Sequence, residues 1–135
     1  MIHRWHETVE LIRRALAEDL AIVDATTSIL PGDLQGEALL IAKQPGVIAG
    51  GEVALQVFSE VDASLKIEVL TPDGSAVEKG AKLVRIDGSF ASILQAERTA
   101  TNFMQRLSGI ATATRAYVDA IADLPTVLID TRKTV

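Results

Sequence analysis

Apolar residues near the N-terminus recur every three or four positions, the spacing that places them on one face of a helix. Charged residues fill the positions between them. The pattern therefore predicts an amphipathic helix whose apolar face consists of Trp5, Val9, Ile12, Leu16 and Leu20. The segment 20–33 that follows contains a Pro31-Gly32 breaker, which predicts a crossing loop.

The middle of the chain is predicted to consist of short strands and one helix. The segment GEALLIAKQPG predicts a strand that ends in the turn Gln44-Pro45-Gly46, and helical spacing returns from Val53 to Val61. From Leu65 to Val69 apolar and charged residues alternate, as in a half-buried strand. Another short strand is predicted from Lys82 to Ile86, before a turn at Asp87-Gly88.

A long helix is predicted to begin after Ser89, which is a plausible N-cap. Arg98, Asn102 and Gln105 fall together on the polar face of this helix. Its predicted buried stripe consists of Ile93, Ala96, Ala100, Phe103 and Leu107.

We expect Ser108-Gly109 to break or kink this helix, and a second helical stretch to end near Asp123. The apolar run Thr126–Ile129 then predicts a strand. A strand that is apolar on both faces belongs in a parallel, helix-covered sheet. The predicted fold class is therefore α+β, with an N-terminal domain over residues 1–107 followed, over residues 108–135, by the opening helix and strand of an α/β unit.

The amino-acid composition excludes several kinds of functional site. A chain of 135 residues that is 48% hydrophobic suits one domain with a real core. The sequence contains no cysteine, which excludes disulfides, thiolate catalysis and cysteine-ligated metal sites. His3 and His6 lie three apart on the N-terminal helix, but they have no nearby carboxylate cluster, so we assign no metal to them.

The net charge and the hydropathy of the chain argue against nucleic-acid and membrane partners. The net charge of −5 argues against a nucleic-acid-binding face. No apolar run approaches the roughly 20 residues that cross a bilayer, so we expect no membrane partner and a cytoplasmic location. Locally the charge balance is reversed, because the segment 98–133 contains five basic residues, Arg98, Arg106, Arg115, Arg132 and Lys133, and three acidic ones.

Two groups of residues would suit a small polyanion. Thr131, Arg132 and Lys133 follow the predicted apolar strand, and ligands of α/β sheets and barrels bind at the carboxyl ends of strands. Arginine forks bind carboxylates bidentately, while a lysine supplies a point charge for phosphate. Arg98 lies in the second group, on the polar helix face. Spacing alone favours a polar strand end and a solvated helix face over a binding site.

The motifs of the last third add information that spacing does not contain. ERTATNFMQRLSGIATATRAYVD followed by DTRKT closely resembles the quinolinate phosphoribosyltransferases, or nicotinate-nucleotide pyrophosphorylases (carboxylating), of NAD biosynthesis. The segments EDL..VDATT, PGVIAGGEVA and V..G..L..I.G fit the same family in order. The resemblance thus covers essentially the whole chain and concerns the N-terminal half of the family only.

The resemblance implies both a fold and an activity. The fold would be an N-terminal α/β sandwich of the barrel-sandwich hybrid type, followed by the start of an α/β barrel. The activity would be that of a pentosyltransferase, which transfers phosphoribose from phosphoribosyl pyrophosphate to the ring nitrogen of quinolinate. The products would be nicotinate mononucleotide, carbon dioxide and pyrophosphate.

The resemblance also implies roles for individual residues. Arg132 would contact the quinolinate carboxylates, Thr131 and Lys133 would contribute to the same pocket and its phosphate side, and Arg98 would reach into the active site of a neighbouring subunit. The assembly would be a homodimer or a higher homo-oligomer. Mg²⁺ would be the cofactor, with ligands in the part of the family that follows DTRKT. We assign no catalytic residue here and expect an incomplete enzyme that is inactive alone.

Some features depart from the family or fit another class. Ala21 and Val23 stand near positions where the family usually has glycines, and Thr101 stands where leucine is typical. The segment VLTPDGSAVEKGAKLVRIDG resembles biotinyl and lipoyl carrier domains, but its turn Pro72-Asp73-Gly74 lacks the lysine that a carrier needs. A further alternative is a non-catalytic dimerisation or interaction module derived from the transferase.

Overall fold

The computed structural model describes residues 2–20 and 33–131, with side chains from Trp5 onward. The described residues form three helices and five strands. In chain order these are α1 (Ile2–Leu20), β1 (Gln35–Ile41), β2 (Gly46–Val47), α2 (Gly51–Val61), β3 (Lys66–Val69), β4 (Ala76–Val77), β5 (Lys82–Ser89) and α3 (Phe90–Ala120). Most of the predicted crossing loop, including Ala21 and Val23, lies outside the described residues.

The strands form two small antiparallel sheets. β5 is the central strand of the larger sheet, with β1 on one side and β3 on the other, while β2 pairs with β4. Successive side chains of a strand point to opposite faces. In β1, Ala38 and Leu40 therefore pack against the core, whereas Leu39 and Ile41 stay exposed. The three strands predicted in the middle of the chain and the alternation of β3 are confirmed.

The core lies between the larger sheet and the three helices. The predicted stripe of α3 is confirmed, because Ile93, Ala96 and Ala100 are buried and Phe103 packs against the same cluster. α1 contributes Ile12 and Leu16 to the core, while Trp5 and Leu20 remain partly exposed. The fold is therefore mixed α and β, with helices covering one face of a small sheet.

The predicted turn at Asp87-Gly88 is wrong, because both residues continue β5. Asp87 pairs with Lys66 of β3, and Gly88 pairs with Gly36 of β1. A glycine at position 88 lets the Leu65 side chain lie close to the backbone of β5. Its φ is +146°, and a Cβ there would lie 2.7 Å from Leu65 Cδ2. Pairing on both sides of β5 thus overrides the local preference of an Asp-Gly pair for turns.

The predicted break at Ser108-Gly109 is also wrong, because α3 runs through both residues to Ala120. The alternative prediction of a kink there stays a prediction. One interior glycine costs a helix only about 1 kcal/mol relative to alanine. The Ser108 hydroxyl is bonded to the backbone of Ala49, which attaches the helix to its neighbour. The predicted domain boundary between residues 107 and 108 falls inside this helix and stays a prediction.

The predicted strand at Thr126–Ile129 is not formed. Residues 126–130 lie outside any helix or strand, and Val127 and Ile129 are 82% and 78% exposed. A strand forms only where a neighbour satisfies its backbone donors and acceptors, and the sheet order β1-β5-β3 includes no such neighbour. The barrel-sandwich arrangement and the α/β barrel stay predictions.

The N-terminus of α2 is capped from a distant turn. Asp73, in the turn between β3 and β4, accepts hydrogen bonds from the backbone N–H groups of Gly50, at 2.8 Å, and Gly51, at 2.9 Å. A carboxylate is favoured there because the end of the helix carries partial positive charge. Gly50 has a φ of +98°, and a Cβ on it would lie 2.8 Å from Leu107 Cδ1 of α3.

We predict that Asp73→Ala lowers the free energy of unfolding by about 1–2 kcal/mol, because two N–H groups lose their acceptor. Urea unfolding followed by circular dichroism measures the change. Glu78→Ala is the matched control, since it removes an exposed acid of a nearby turn. Equal stability of the two variants would contradict the capping role.

Asp62 connects the end of α2 to the beginning of α3. Its carboxylate accepts hydrogen bonds from the Ser64 hydroxyl at 2.6 Å, the Ser64 N–H at 2.9 Å and the Ser92 hydroxyl at 2.9 Å. These bonds, above all those from Ser64, favour the charged form and lower the pKa of Asp62. Ser92 lies in the first turn of α3, whose N-cap is Ser89 as predicted.

We predict a pH-dependent effect of Asp62→Asn. The folded-state pKa lies below the unfolded one, so the stabilisation is complete above the unfolded value of about 4 and is lost as the pH falls through the folded value. The stability difference between the wild type and Asp62→Asn should therefore be present at pH 7 and shrink in acid. Urea unfolding at a series of pH values checks this. A difference that stays constant from neutral to strongly acidic pH would refute it.

Candidate functional site

Arg98 lies on the solvent-facing side of α3. It is in the third turn of the helix, and Arg98, Asn102 and Gln105 are all exposed. The 3.6-residue period that buries Ala96 and Ala100 turns Arg98 away from the core. The sequence prediction of a polar face opposite the buried stripe is thus confirmed.

The guanidinium group of Arg98 is paired with a carboxylate of another helix. Its Nη1 lies 3.1 Å from Oδ1 of Asp19, in the last turn of α1. The Arg98 side chain is 73% exposed, whereas the Asp19 side chain is only 20% exposed. Asp19 follows the buried Leu16 by three residues and is held by the packing of α1. The pair therefore joins a solvent-facing cation to a largely covered anion.

An open groove of about 690 Å³ runs beside α3. It lies between α3 and the segment that connects β1 to β2, and Lys43, Glu97 and Gln105 contribute charged and polar groups to its lining. Arg98 lies outside it. Thr101 also lines the groove, but its hydroxyl donates to the backbone oxygens of Glu97 and Arg98 in its own helix.

Two hydroxyl groups attach α3 to the segment 47–49. The Ser108 hydroxyl accepts from the Ala49 N–H at 3.0 Å and donates to its carbonyl oxygen at 3.2 Å. One turn later, Thr112 accepts from the Val47 N–H at 2.8 Å. The sequence reasoning missed this role, and the signal for it was two hydroxyl residues four apart in LSGIAT. These three bonds hold the middle of α3 against the segment 47–49.

The other predicted site residues follow α3. Thr131 is exposed and lies outside any helix or strand, and Arg132 and Lys133 lie outside the described residues. From Arg98 to the end of α3 at Ala120 the helix rises about 33 Å along its axis. The described part of the chain therefore places Arg98 and Thr131 on different segments of the fold.

The described residues contain neither a cluster of metal ligands nor a membrane-spanning helix. Among residues 2–20 and 33–131 there is no group of three or more His, Asp or Glu side chains placed to hold a metal ion. The helices in those ranges are too short or too polar to cross a membrane. His6 is exposed, and the side chain of His3 lies outside the described residues.

The family model described as "Quinolinate phosphoribosyl transferase, N-terminal domain" matches residues 24–108. The chain belongs to this family. A tobacco (Nicotiana tabacum) protein named quinolinate phosphoribosyltransferase [decarboxylating] 1b is 42% identical over 134 residues, which are 98% of this chain and 38% of that protein. An Arabidopsis thaliana relative, named as a chloroplastic nicotinate-nucleotide pyrophosphorylase [carboxylating], is 40% identical over the same shares.

The fold agrees with the family. The nicotinate-nucleotide pyrophosphorylase of Francisella tularensis has a TM-score of 0.88 and 37% sequence identity, over 95% of this chain and 46% of that structure. The chain thus spans less than half the length of the relatives it matches. Because one relative is named chloroplastic, the expected cytoplasmic location stays a prediction.

We predict that Arg98→Ala changes the free energy of unfolding by no more than about 1 kcal/mol, because an exposed ion pair contributes little. Thermal and urea unfolding of the 135-residue chain measure the change. Ala100→Leu is the contrasting variant: it places a large side chain in a fully buried position of the same helix, which costs typically 1–3 kcal/mol. A larger loss at Arg98 than at Ala100 would show that Arg98 is a structural residue.

Proposed function

We propose that this chain is the N-terminal portion of a quinolinate phosphoribosyltransferase, a pentosyltransferase of NAD biosynthesis. Its substrates are quinolinate and phosphoribosyl pyrophosphate, and its products are nicotinate mononucleotide, carbon dioxide and pyrophosphate. The observation that carries the proposal is the fold shared with the Francisella pyrophosphorylase at a TM-score of 0.88 and 37% identity. We also propose a cytoplasmic location.

The charge of the substrates explains the choice of residues. Quinolinate carries two carboxylates, and a guanidinium fork binds a carboxylate with two parallel hydrogen bonds. Arg98 is exposed enough to reach a ligand outside the core of its own chain. In the proposal Arg132 holds the substrate carboxylates, Thr131 and Lys133 extend the pocket toward the phosphates, and Arg98 belongs to the site of a neighbouring subunit.

The long separation along α3 supports the sharing of the site between subunits. The helix alone extends about 33 Å beyond Arg98. In a two-fold symmetric dimer, the surface that carries Arg98 on one subunit can meet the segment 131–133 of the other. A homodimer is therefore the assembly we propose.

Mg²⁺ is the cofactor that the family implies, and it would offset charge on the departing pyrophosphate. The described residues do not fit a Mg²⁺ site, because no three of their acidic or histidine side chains come together. We propose that its ligands belong to the part of the family that the matched 38% of the tobacco relative does not cover.

A fused protein tests the proposed function. The chain replaces the matched 46% of the Francisella pyrophosphorylase, and formation of nicotinate mononucleotide is assayed with quinolinate, phosphoribosyl pyrophosphate and Mg²⁺. We expect turnover within about a hundredfold of the Francisella enzyme, on the usual scale of roughly 1 s⁻¹ or more. We expect none from the 135-residue chain alone.

The intact Francisella protein is the positive control, and the fusion carrying Arg98→Ala is the negative one. A fusion that is folded and dimeric but produces no nicotinate mononucleotide would contradict the proposed function. Turnover by the 135-residue chain alone would refute the expectation that it is inactive.

Mixing two inactive variants tests the sharing of the site. When fusions carrying Arg98→Ala and Arg132→Ala exchange subunits, each hybrid dimer contains one site that lacks both arginines and one intact site. Random exchange should therefore restore about a quarter of the wild-type sites. Absence of recovery, with subunit exchange demonstrated by mass spectrometry, would show that Arg98 serves its own subunit or none.

A non-catalytic dimerisation module is the second candidate. It is favoured by apolar side chains left exposed on the far half of α3 and after it, among them Ile110, Tyr117 and Leu124. This candidate predicts a stable dimer of the 135-residue chain and an inactive fusion. The carrier alternative has less support, because Asp73 in the turn where a carrier needs a lysine caps α2.

A further inference from the structure

Asp19 is built to hold an arginine in place. Its side chain is 20% exposed and lies in the last turn of α1, three residues after the buried Leu16. The carboxylate therefore belongs to a helix whose position is fixed by the core. The carbonyl groups at the end of α1 carry partial negative charge, which favours a cation at the same place.

The contact leaves most of the Arg98 fork available. A guanidinium has five N–H donors, and the bond to Asp19 Oδ1 comes from Nη1 at 3.1 Å. Within the described part of the chain, this ion pair is the one polar contact recorded for the Arg98 side chain. The edge formed by Nε and Nη2 presents two parallel donors, the arrangement that a carboxylate accepts bidentately.

A second ion pair of α1, between Arg13 and Glu60, has a different geometry. Arg13 bonds Glu60 of α2 through Nε at 2.8 Å and Nη2 at 3.4 Å, so this edge of its fork is occupied by the protein's own carboxylate. Glu60 also accepts from Gln56 at 2.8 Å. Arg98 differs, because its anchoring carboxylate takes Nη1, and no other side chain of residues 5–20 and 33–131 is bonded to that edge.

We propose that Asp19 is a positioning residue for the reaction, which holds the Arg98 guanidinium by Nη1 so that its Nε–Nη2 edge faces a carboxylate of quinolinate. This inference deepens the proposed function and rests on it. Asp19 does not touch the substrate. It reduces the number of directions that a long exposed side chain samples before the substrate binds.

The first test concerns the side chain itself and needs no activity. The Nε–H signal of Arg98 is observed by ¹⁵N NMR in the 135-residue chain and assigned by its loss in Arg98→Lys. We expect restricted motion in the wild type and in Glu60→Gln, and faster motion in Asp19→Asn. Equal mobility in the wild type and in Asp19→Asn would overturn the proposal, because Asp19 would then hold nothing.

The second test uses the fused enzyme. We expect Asp19→Asn to raise the KM for quinolinate roughly tenfold and to leave the KM for phosphoribosyl pyrophosphate within about twofold, since Arg98 contacts one substrate only. Asp19→Glu keeps the negative charge, so its KM for quinolinate should stay close to that of the wild type. Glu60→Gln is the matched control and should change neither value.

The outcomes separate the two proposals. If the wild-type fusion forms no nicotinate mononucleotide although it is folded and dimeric, the proposed function fails and this inference fails with it. If the wild type is active and Asp19→Asn leaves the quinolinate KM unchanged, only the inference is overturned. Equal losses for both substrates would likewise overturn it, because they indicate a general structural role. Where Asp19→Asn does not fold, Asp19→Ser takes its place as the uncharged variant, and Asp19→Glu remains the variant that keeps the charge.

Discussion

The packing of α3 against α2 is the interaction on which the rest of the structure depends. The two helices are in contact, and Ala96 and Ala100 of α3 and Ala54 of α2 are completely buried in the same core cluster. The same stripe of α3 also contacts α1 and the larger sheet. Because a helix has one rotational setting at a time, burying this stripe also decides which residues face solvent. The exposure of Arg98 is therefore a consequence of core packing.

Polar contacts set the position of α3 along its axis, which apolar packing alone does not determine. Packing fixes the rotation of α3 but resists sliding along the helix axis less, since neighbouring turns of a stripe are alike. Ser92 bonds Asp62 at the beginning of α3, and Ser108 bonds the Ala49 backbone near its middle. Two such bonds, about four turns apart, set the axial position of the helix. The turns of α3 beyond Thr112 are exposed almost throughout.

Local patterns predicted those features that one element determines by itself. The stripe containing Ala96 and Ala100 follows from periodicity, and the Ser89 cap follows from the chemistry of a helix start. The predictions were wrong where contacts with residues distant in the sequence determine the local structure. The Asp87-Gly88 pair favours a turn locally, but strands on both sides hold it in β5. The resemblance indicated Arg98 as a site residue, yet its partner Asp19 lies 79 positions away, and no period within either helix indicates that they meet.

In the proposed enzyme, α3 separates the residues that stabilise the fold from the residue that binds the substrate. One side of the helix carries the packing, and the opposite side carries Arg98, whose ion pair with Asp19 lies largely in solvent on the arginine side. An exposed pair contributes little to the free energy of unfolding. A covered carboxylate that engages one nitrogen of an exposed guanidinium restricts direction while leaving donors available. In the proposed enzyme this restriction favours binding of the dianion, because the arginine has already lost conformational entropy before the ligand binds.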